Sequence, residues 1–406
     1  MYRPRRTPRA QFKTVKTNSA GDRRTRSGNP QEPQRQTRPH GAVVTYSPGA
    51  TDKPVGHQAS MRREIARRLA ALMGFACEGE YDPLRRYAVP PYFVPSITLT
   101  SETAARVGVR SECDLFGGVV PYPFVATKTI THPLVGAGSR APPGWSAEFP
   151  RRVADAVLDG FSAFAKEDAS VAGRRLLERG PVRVKLATGI AGLGQSVVDD
   201  AAALVRALDA IDAEEMARSG VVVEQNLVEV NTFSVGRVCV ADVVTTYVGT
   251  QCLTTNNRGL PIYGGSDITV VRGDFDALLA LKLSEDVRLA IAQARAYDDA
   301  AMQCFDGFFA SRRNYDVAQG PDAAGRRRSG VLEQSWRLGG ASGAEIGALE
   351  AFSADPSLRT VRAVAREVYG EAPALPADAA VYFSGTDPHT GPLTKYAWTE
   401  PYADPR

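Results

Sequence analysis

Residues 330–340 limit what this chain can fold into more than any other stretch. On an extended backbone Glu333, Ser335 and Arg337 point to one face, and Gln334 and Trp336 to the other. Val331 and Leu332 lead in, and Gly339 and Gly340 follow. Three polar groups side by side have no evident place in an ordinary core, because burying polar groups without partners is costly. A carboxylate beside a hydroxyl offers the hard oxygen ligands that Mg²⁺ takes. A guanidinium two residues on can hold a phosphate or a carboxylate. Upstream, Asp316 follows Arg312 and Arg313 and offers a second carboxylate.

Two earlier segments carry related chemistry. Val182, Val184 and Leu186 alternate with Arg183 and Lys185, which predicts a strand that delivers a lysine. Gly189, Gly192, Gly194 and Ser196 follow, in a loop whose backbone N–H groups can approach phosphate oxygens closely. The spacing matches neither a Walker loop nor a dinucleotide fingerprint. Taken alone, it also fits a glycine-rich turn that binds nothing. Val221, Val222 and Val223 then run into Glu224, Gln225, Asn226 and Leu227. Such a strand end can offer main-chain groups and a carboxylate to a purine, or it is a strand end and no more.

The remaining pattern predicts a strand at 42–46, then a helix with Ile65, Leu69, Leu72 and Met73 on one face. Helices are expected at 151–160 and 168–178, and strands at 233–241, 243–248 and 251–255. Asn256 to Gly259 reads as a hairpin turn. A long helix over 275–303 and helices at 343–352 and 359–369 complete the expectation.

At 406 residues, 43% hydrophobic and 23% charged, the composition is that of a soluble globular protein. No run of 18 apolar residues predicts a membrane span, and no apolar leader opens the chain. Cys77, Cys113, Cys239, Cys252 and Cys304 are scattered, which predicts buried thiols, a reducing cytoplasmic setting and no zinc site. The net charge of +4 is uneven, since residues 1–60 hold twelve Lys or Arg against three Asp or Glu. Residues 1–40 read as a disordered basic tail or, in a second reading, a nucleic-acid arm. Nucleic acid is not expected to bind elsewhere.

In this order the three segments resemble the ATP-grasp superfamily. Its members have a strand lysine before a glycine-rich lid loop, a Glu-x-x-Leu hinge, and a late Glu-x-Asn-x-Arg followed by glycines. The likeness covers roughly residues 120–350. The stretches 114–121 and 333–342 are similar to an uncharacterised bacterial family, the domain of unknown function numbered 3182, whose name brings no activity. The resemblance implies an α/β fold with α+β sub-domains. It divides the chain into the tail at 1–40, a pre-ATP-grasp sub-domain at 41–125, linker and lid at 126–225, a central sub-domain with a metal site at 226–370, and a C-terminal extension at 371–406.

The resemblance also implies ATP and Mg²⁺ as cofactors. Lys185 would contact the α/β-phosphates, and the loop from Gly189 through Gly192 and Gly194 to Ser196 would close over the β/γ-phosphates. Glu224 and the backbone of Gln225 to Leu227 would hold adenine, and Asp316, Glu333 and Ser335 the metal. Arg337, with Lys185, would be catalytic. Lys128 would be the earlier nucleotide-contacting lysine, and Arg272 a further candidate for phosphate contact. The implied reaction activates a small-molecule carboxylate as an acyl-phosphate for attack by an amine. A second reading is a degenerate nucleotide-binding regulatory or partner-binding protein, which Ser335 favours because it stands where the superfamily has Asn. The stretch with Gly320 and Arg326 to Arg328 reads as an insertion separating Asp316 from Glu333, and leaves Asp322 as an alternative ligand. His57 and His132 read as structural histidines before general bases. The acceptor and the oligomeric state are not legible.

Overall fold

A computed structural model describes residues 41–49, 55–189 and 194–402. The basic tail and Gly192 lie outside the described residues. Strand β1 (Ala42–Tyr46) is followed by helix α1 (Gly56–Met73), β2 (Ala76–Glu80) and β3 (Tyr92–Pro95), and the three strands form a parallel sheet of order β2-β1-β3. Ile65 and Leu69 of α1 are buried, as the helical spacing predicts. Then come β4 (Leu99–Thr100), α2 (Ser101–Val107) and β5 (Gly118–Val120). Short 3₁₀ turns at Pro123–Ala126 and Lys128–Ile130 lead to α3 (Glu148–Arg152). The helix expected over 151–160 is therefore corrected: α3 stops at Arg152, and strand begins at Gly160.

The stretch read from the sequence as the lid comprises β6 (Gly160–Ala163), α4 (Lys166–Leu177), β7 (Val182–Leu186), β8 (Gln195–Val198), α5 (Ala201–Asp209), α6 (Ala213–Ser219) and β9 (Val221–Gln225). Its strands form an antiparallel sheet of order β6-β9-β7-β8. Alternation decides the faces. Val182, Val184, Val221 and Val223 pack with Leu176 and Leu204 of the helices. Arg183, Lys185, Val222 and Glu224 therefore take the opposite face.

The central region comprises β10 (Asn231–Val240), β11 (Val243–Thr255), β12 (Pro261–Arg272), α7 (Phe275–Leu279), α8 (Glu285–Cys304), β13 (Phe309–Ala310), β14 (Arg312–Pro321), β15 (Arg327–Ser335), α9 (Ser342–Ala354), β16 (Thr360–Tyr369), β17 (Ala380–Asp387) and β18 (Gly391–Pro401). All its strands but β13 form one antiparallel sheet of order β15-β14-β10-β11-β12-β16-β18-β17. Strand β13 instead extends β5 and β4. Tyr297 of α8 packs against Tyr315, Val317 and Val331 on one face, and α9 buries Ile346 and Leu349 with Ile268 and Ala363 on the other.

Four expectations need correction here. The strands at 243–248 and 251–255 are one strand, β11. The long helix breaks before Ser284, whose side chain caps α8. Residues 359–369 form a strand: Val361, Ala363 and Ala365 face α9, while Arg362 between them donates to Asp267 and Glu400. This is period two, not 3.6. All five cysteines are free, but none is buried: Cys77 and Cys113 are exposed, and Cys239, Cys252 and Cys304 are half-buried. The segment after 371 supplies β17 and β18, and Asp387 accepts the His57 amide at 2.7 Å at the start of α1. The hairpin turn at Asn256 to Gly259 stands, with Gly259 at φ +77°. The mixed α/β chain, with a parallel sheet near its start and antiparallel sheets after it, agrees with the expected α/β class with α+β sub-domains.

Candidate active site

The hairpin β14–β15 builds the centre. Asp316 stands opposite Glu333, and Asn314 opposite Ser335. The register shifts beyond Asp316, where Val317 pairs with Val331, so Leu332 is the extra residue of a bulge. Four polar side chains thus form a two-by-two patch on one face. Asp316 Oδ1 accepts from Gln251 Nε2 at 2.8 Å and Asn314 Nδ2 at 2.9 Å. Asn314 Oδ1 in turn lies 2.7 Å from both the Ser234 and the Tyr247 hydroxyls. Burial, and next the like charge of Glu333, push the Asp316 carboxyl up to about 6. The residues between the two acids are the hairpin's end rather than a separating insertion, which corrects the sequence expectation. Asp322 sits in that turn and accepts from the Ala324 and Arg326 amides and from Arg326 and Arg328 side chains.

Lys128 joins this patch to the glycine loop. Its ammonium lies 2.6 Å from Glu333 Oε2 and donates to the Gly189 carbonyl at 3.0 Å. At the end of the patch, fully buried Arg312 forks onto Glu345 and donates through Nη1 to Ser335 Oγ (3.2 Å), the Ser335 carbonyl (3.0 Å) and the Arg337 carbonyl (2.5 Å). Arg337, just past the end of β15, is half-buried. Burial and the Arg312 charge push its pKa down, and Glu333 acts the other way.

A second cluster lies on the lid. Lys185 on β7 pairs with Glu224 on β9, and His132 Nε2 lies 3.2 Å from the other Glu224 oxygen. Glu224 is 1% exposed and His132 also 1%. Gly160 is required beside them, because a Cβ there would fall 2.7 Å from the His132 ring. Burial alone would raise the Glu224 carboxyl, but Lys185 and then His132 outweigh it and hold it at about 2. In the hinge, the Gln225 amide donates to the Asp159 carbonyl and the Asn226 amide to Pro181. The Leu227 side chain packs with Leu158 and Ala318.

The family described as "Protein of unknown function (DUF3182)" matches residues 44–397. The chain belongs to that family. No curated protein matches this DUF3182 chain. Among solved structures it is similar to the biotin carboxylase–βγ-ATP complex from Campylobacter jejuni, with 13% identity over 90% of this chain and 88% of that one and a TM-score of 0.48. It is also similar to carboxyaminoimidazole ribonucleotide synthase from Aspergillus clavatus complexed with ATP, with 12% identity over 89% and 94% and a TM-score of 0.47. D-alanine–D-alanine ligase from Bacillus anthracis shows 11% identity over 74% and 88%, with a TM-score of 0.43.

In this DUF3182 chain two expected site residues, Ser196 and Arg272, stay outside both clusters, as does His57, which the sequence reads as structural. Ser196 pairs with Val184, so it faces away from Lys185, whose partner is Gln195. The Arg272 guanidinium packs over the Phe352 ring and donates to the Phe352 carbonyl, so α9 has engaged it. His57 lies beside Phe383 at the far edge of the large sheet. Gly194, at φ +72°, closes the loop by offering its carbonyl to the Leu186 amide at 2.8 Å. Sequence reasoning gave no role to Asn314, Gln251 or Glu345, and named Arg312 only as a neighbour of Asp316. Asn314 had a signal, since it alternates with Asp316 as Ser335 does with Glu333. Among the described residues no group of three or more His, Cys, Asp or Glu is placed to hold a metal, and no helix is long and apolar enough to cross a membrane.

Proposed function

We propose that this protein is an ATP-grasp ligase that uses ATP to activate a small-molecule carboxylate for attack by an amine-type nucleophile. The observation that carries the reading is Lys128, whose ammonium ties the glycine loop at Gly189 to the acid pair at Glu333. A nucleotide whose phosphates lie under that loop would have them next to Asp316 and Glu333. The donor set fits Mg²⁺, which takes one or two carboxylates together with substrate phosphates rather than an all-protein cage. The raised Asp316 carboxyl is that of an acid pair short of positive charge. Bound there, Mg²⁺ would neutralise charge on the β- and γ-phosphates.

The chain's own groups then have separate tasks. Lys128 and Lys185 supply point charges to the phosphates. Of the three hinge amides, Gln225 and Asn226 are already donated to carbonyls, which leaves Leu227 for the purine edge. Glu224, with both oxygens engaged, orients Lys185 more than it meets adenine. Arg337, whose guanidinium donates to the Leu338 carbonyl and forms no ion pair with a carboxylate among the described residues, holds the carboxylate oxygens that take the γ-phosphoryl group. ADP leaves as that P–O bond forms. The amine nitrogen then bonds to the acyl carbon, phosphate departs, and the amine loses a proton. Positioning and charge neutralisation do most of this work.

One observation favours the second reading, a nucleotide binder without ligase activity. Ser335 Oγ lies 3.2 Å from an Arg312 nitrogen, so the hydroxyl is engaged before any metal arrives. A thermal-shift screen with Mg·ATP, followed by phosphate release with paired carboxylates and amines, separates the two. Cooperative stabilisation with phosphate release supports the ligase. Stabilisation by Mg·ATP without release under any pairing supports the binder, and no stabilisation refutes both.

A further inference from the structure

Gln334 lies on the face of β15 opposite Glu333 and Ser335, and is buried. Its Nε2 donates to two backbone carbonyls, Thr127 at 2.8 Å and Val125 at 3.0 Å. Its Oε1 accepts from the Tyr297 hydroxyl at 3.0 Å, and that hydroxyl lies 2.9 Å from Thr131 Oγ1. Carbonyls only accept, so the amide orientation is settled by chemistry. Gln334 and Tyr297 therefore grip residues 125–131 at three points. Lys128 lies in the middle of that segment, with its ammonium on Glu333 of the same strand.

We propose that Gln334 is a positioning residue, which sets the place of Lys128 relative to the neighbouring Glu333. This rests on the ligase reading for its consequence, but the grip itself does not. The two residues are adjacent on one strand, so β15 fixes the acid with one face and the lysine with the other. A lysine on a flexible stem is poorly placed by itself. Here its backbone is held by an amide that shares the carboxylate's strand, so lysine and acid move together. The alternative is a buried glutamine that merely satisfies two carbonyls, with Lys128 placed by its own side-chain contacts.

A double-mutant cycle on the full chain decides between them. Mg·ADP affinity is measured by calorimetry for Gln334→Leu, Lys128→Ala and the pair, with Gln334→Glu and Tyr297→Phe as milder variants. Amide exchange over residues 125–131 is followed in each without nucleotide. Gln334→Leu is expected to weaken Mg·ADP binding about tenfold, the scale of one charged contact. It should also speed exchange at 125–131, and adding it to Lys128→Ala should cause no further loss of affinity. Tyr297→Phe, which leaves both carbonyl contacts, should retain most of the affinity. Additive losses, or a lowered Tm with unchanged affinity and unchanged exchange at 125–131, would overturn the proposal. A wild-type protein that binds no nucleotide would sink the ligase reading. The exchange result would then decide the grip alone, and unchanged exchange would refute it.

Discussion

The lid and the central sheet each hold a carboxylate at the candidate site, and they treat it in opposite ways. Glu224 is enclosed with Lys185 and His132, and its carboxyl is held at about 2. Asp316 faces Glu333 across the hairpin, and its carboxyl is pushed up to about 6. The first cluster has its charges matched within the protein. In the second, Lys128 makes an ion contact with Glu333 and the Arg337 charge also acts on it, while for Asp316 burial and Glu333 outweigh the Arg312 charge, which is already paired with Glu345. Matched charge makes a rigid fixture, whereas unmatched charge makes a place for a cation. In the proposed ligase the two clusters would divide the work between orienting a lysine and receiving a metal with its phosphates.

Removing one side of each cluster should therefore have different consequences. Glu224→Ala leaves the Lys185 charge buried without a partner and should destabilise the fold by about 3–5 kcal/mol, read by denaturant unfolding. A loss under 1 kcal/mol would mean that the lid pair is not the closed fixture described. Glu333→Ala also takes the carboxylate from buried Lys128, so it should cost some stability, but less than Glu224→Ala, because Glu333 is a third exposed and the Gly189 carbonyl remains. It should lower Mg·ATP-dependent phosphate release by about a hundredfold. Equal release by mutant and wild type with every acceptor would show that the acid pair is misassigned. Asp316→Asn removes the like-charge repulsion while keeping an oxygen for Gln251 and Asn314. It should raise stability by about 1 kcal/mol without metal and abolish the added stabilisation by Mg·ATP. Lower stability without metal would contradict the account of a charge-short pair.

The Glu224 contrast also has a pH signature. Its folded carboxyl lies below the ordinary 4.5, at about 2. The stability it contributes is therefore complete above pH 4.5 and is lost as pH falls through about 2. Unfolding measured from pH 5 to 2 should lose stability less steeply in Glu224→Gln than in wild type. Parallel curves would mean that Glu224 is not held low.

Much of this contrast was legible in the sequence, and the limits are physical. Strand alternation put Lys185 and Glu333 on the correct faces, because period two needs no tertiary information. The same rule separated Gln334 and Trp336 from Ser335. The facing of Asp316 and Glu333 was not legible, since the bulge at Leu332 sets which residues meet, and a one-residue slip would turn Glu333 away. Lys128 carried no local signal, because it arrives on a 3₁₀ turn held by a side chain two hundred residues later in the chain. His132 read as a lone histidine until the fold set it against Glu224. Residues 359–369 misled for another reason. Their alanines and charged residues suit a helix, and only the face of α9 makes Val361, Ala363 and Ala365 a strand.

The smallest expected effect tests whether the hairpin end belongs to the chemistry at all. Asp322 holds the β14–β15 turn through two backbone amides and the Arg326 and Arg328 side chains. Those hydrogen bonds hold its carboxyl low, at about 2, although burial works against them. Every one of its contacts is local except that from Gln225 Nε2 at 3.3 Å. Asp322→Ala should accordingly lower Tm slightly and loosen the turn, while Mg·ATP stabilisation and phosphate release stay as in wild type. Asp316 and Glu333 lie several residue pairs away along the ladder, from the Gly320–Arg328 pair inward. A loss of Mg·ATP response as large as that of Glu333→Ala would move the metal toward the hinge, and the two carboxylates of the central sheet would need another role.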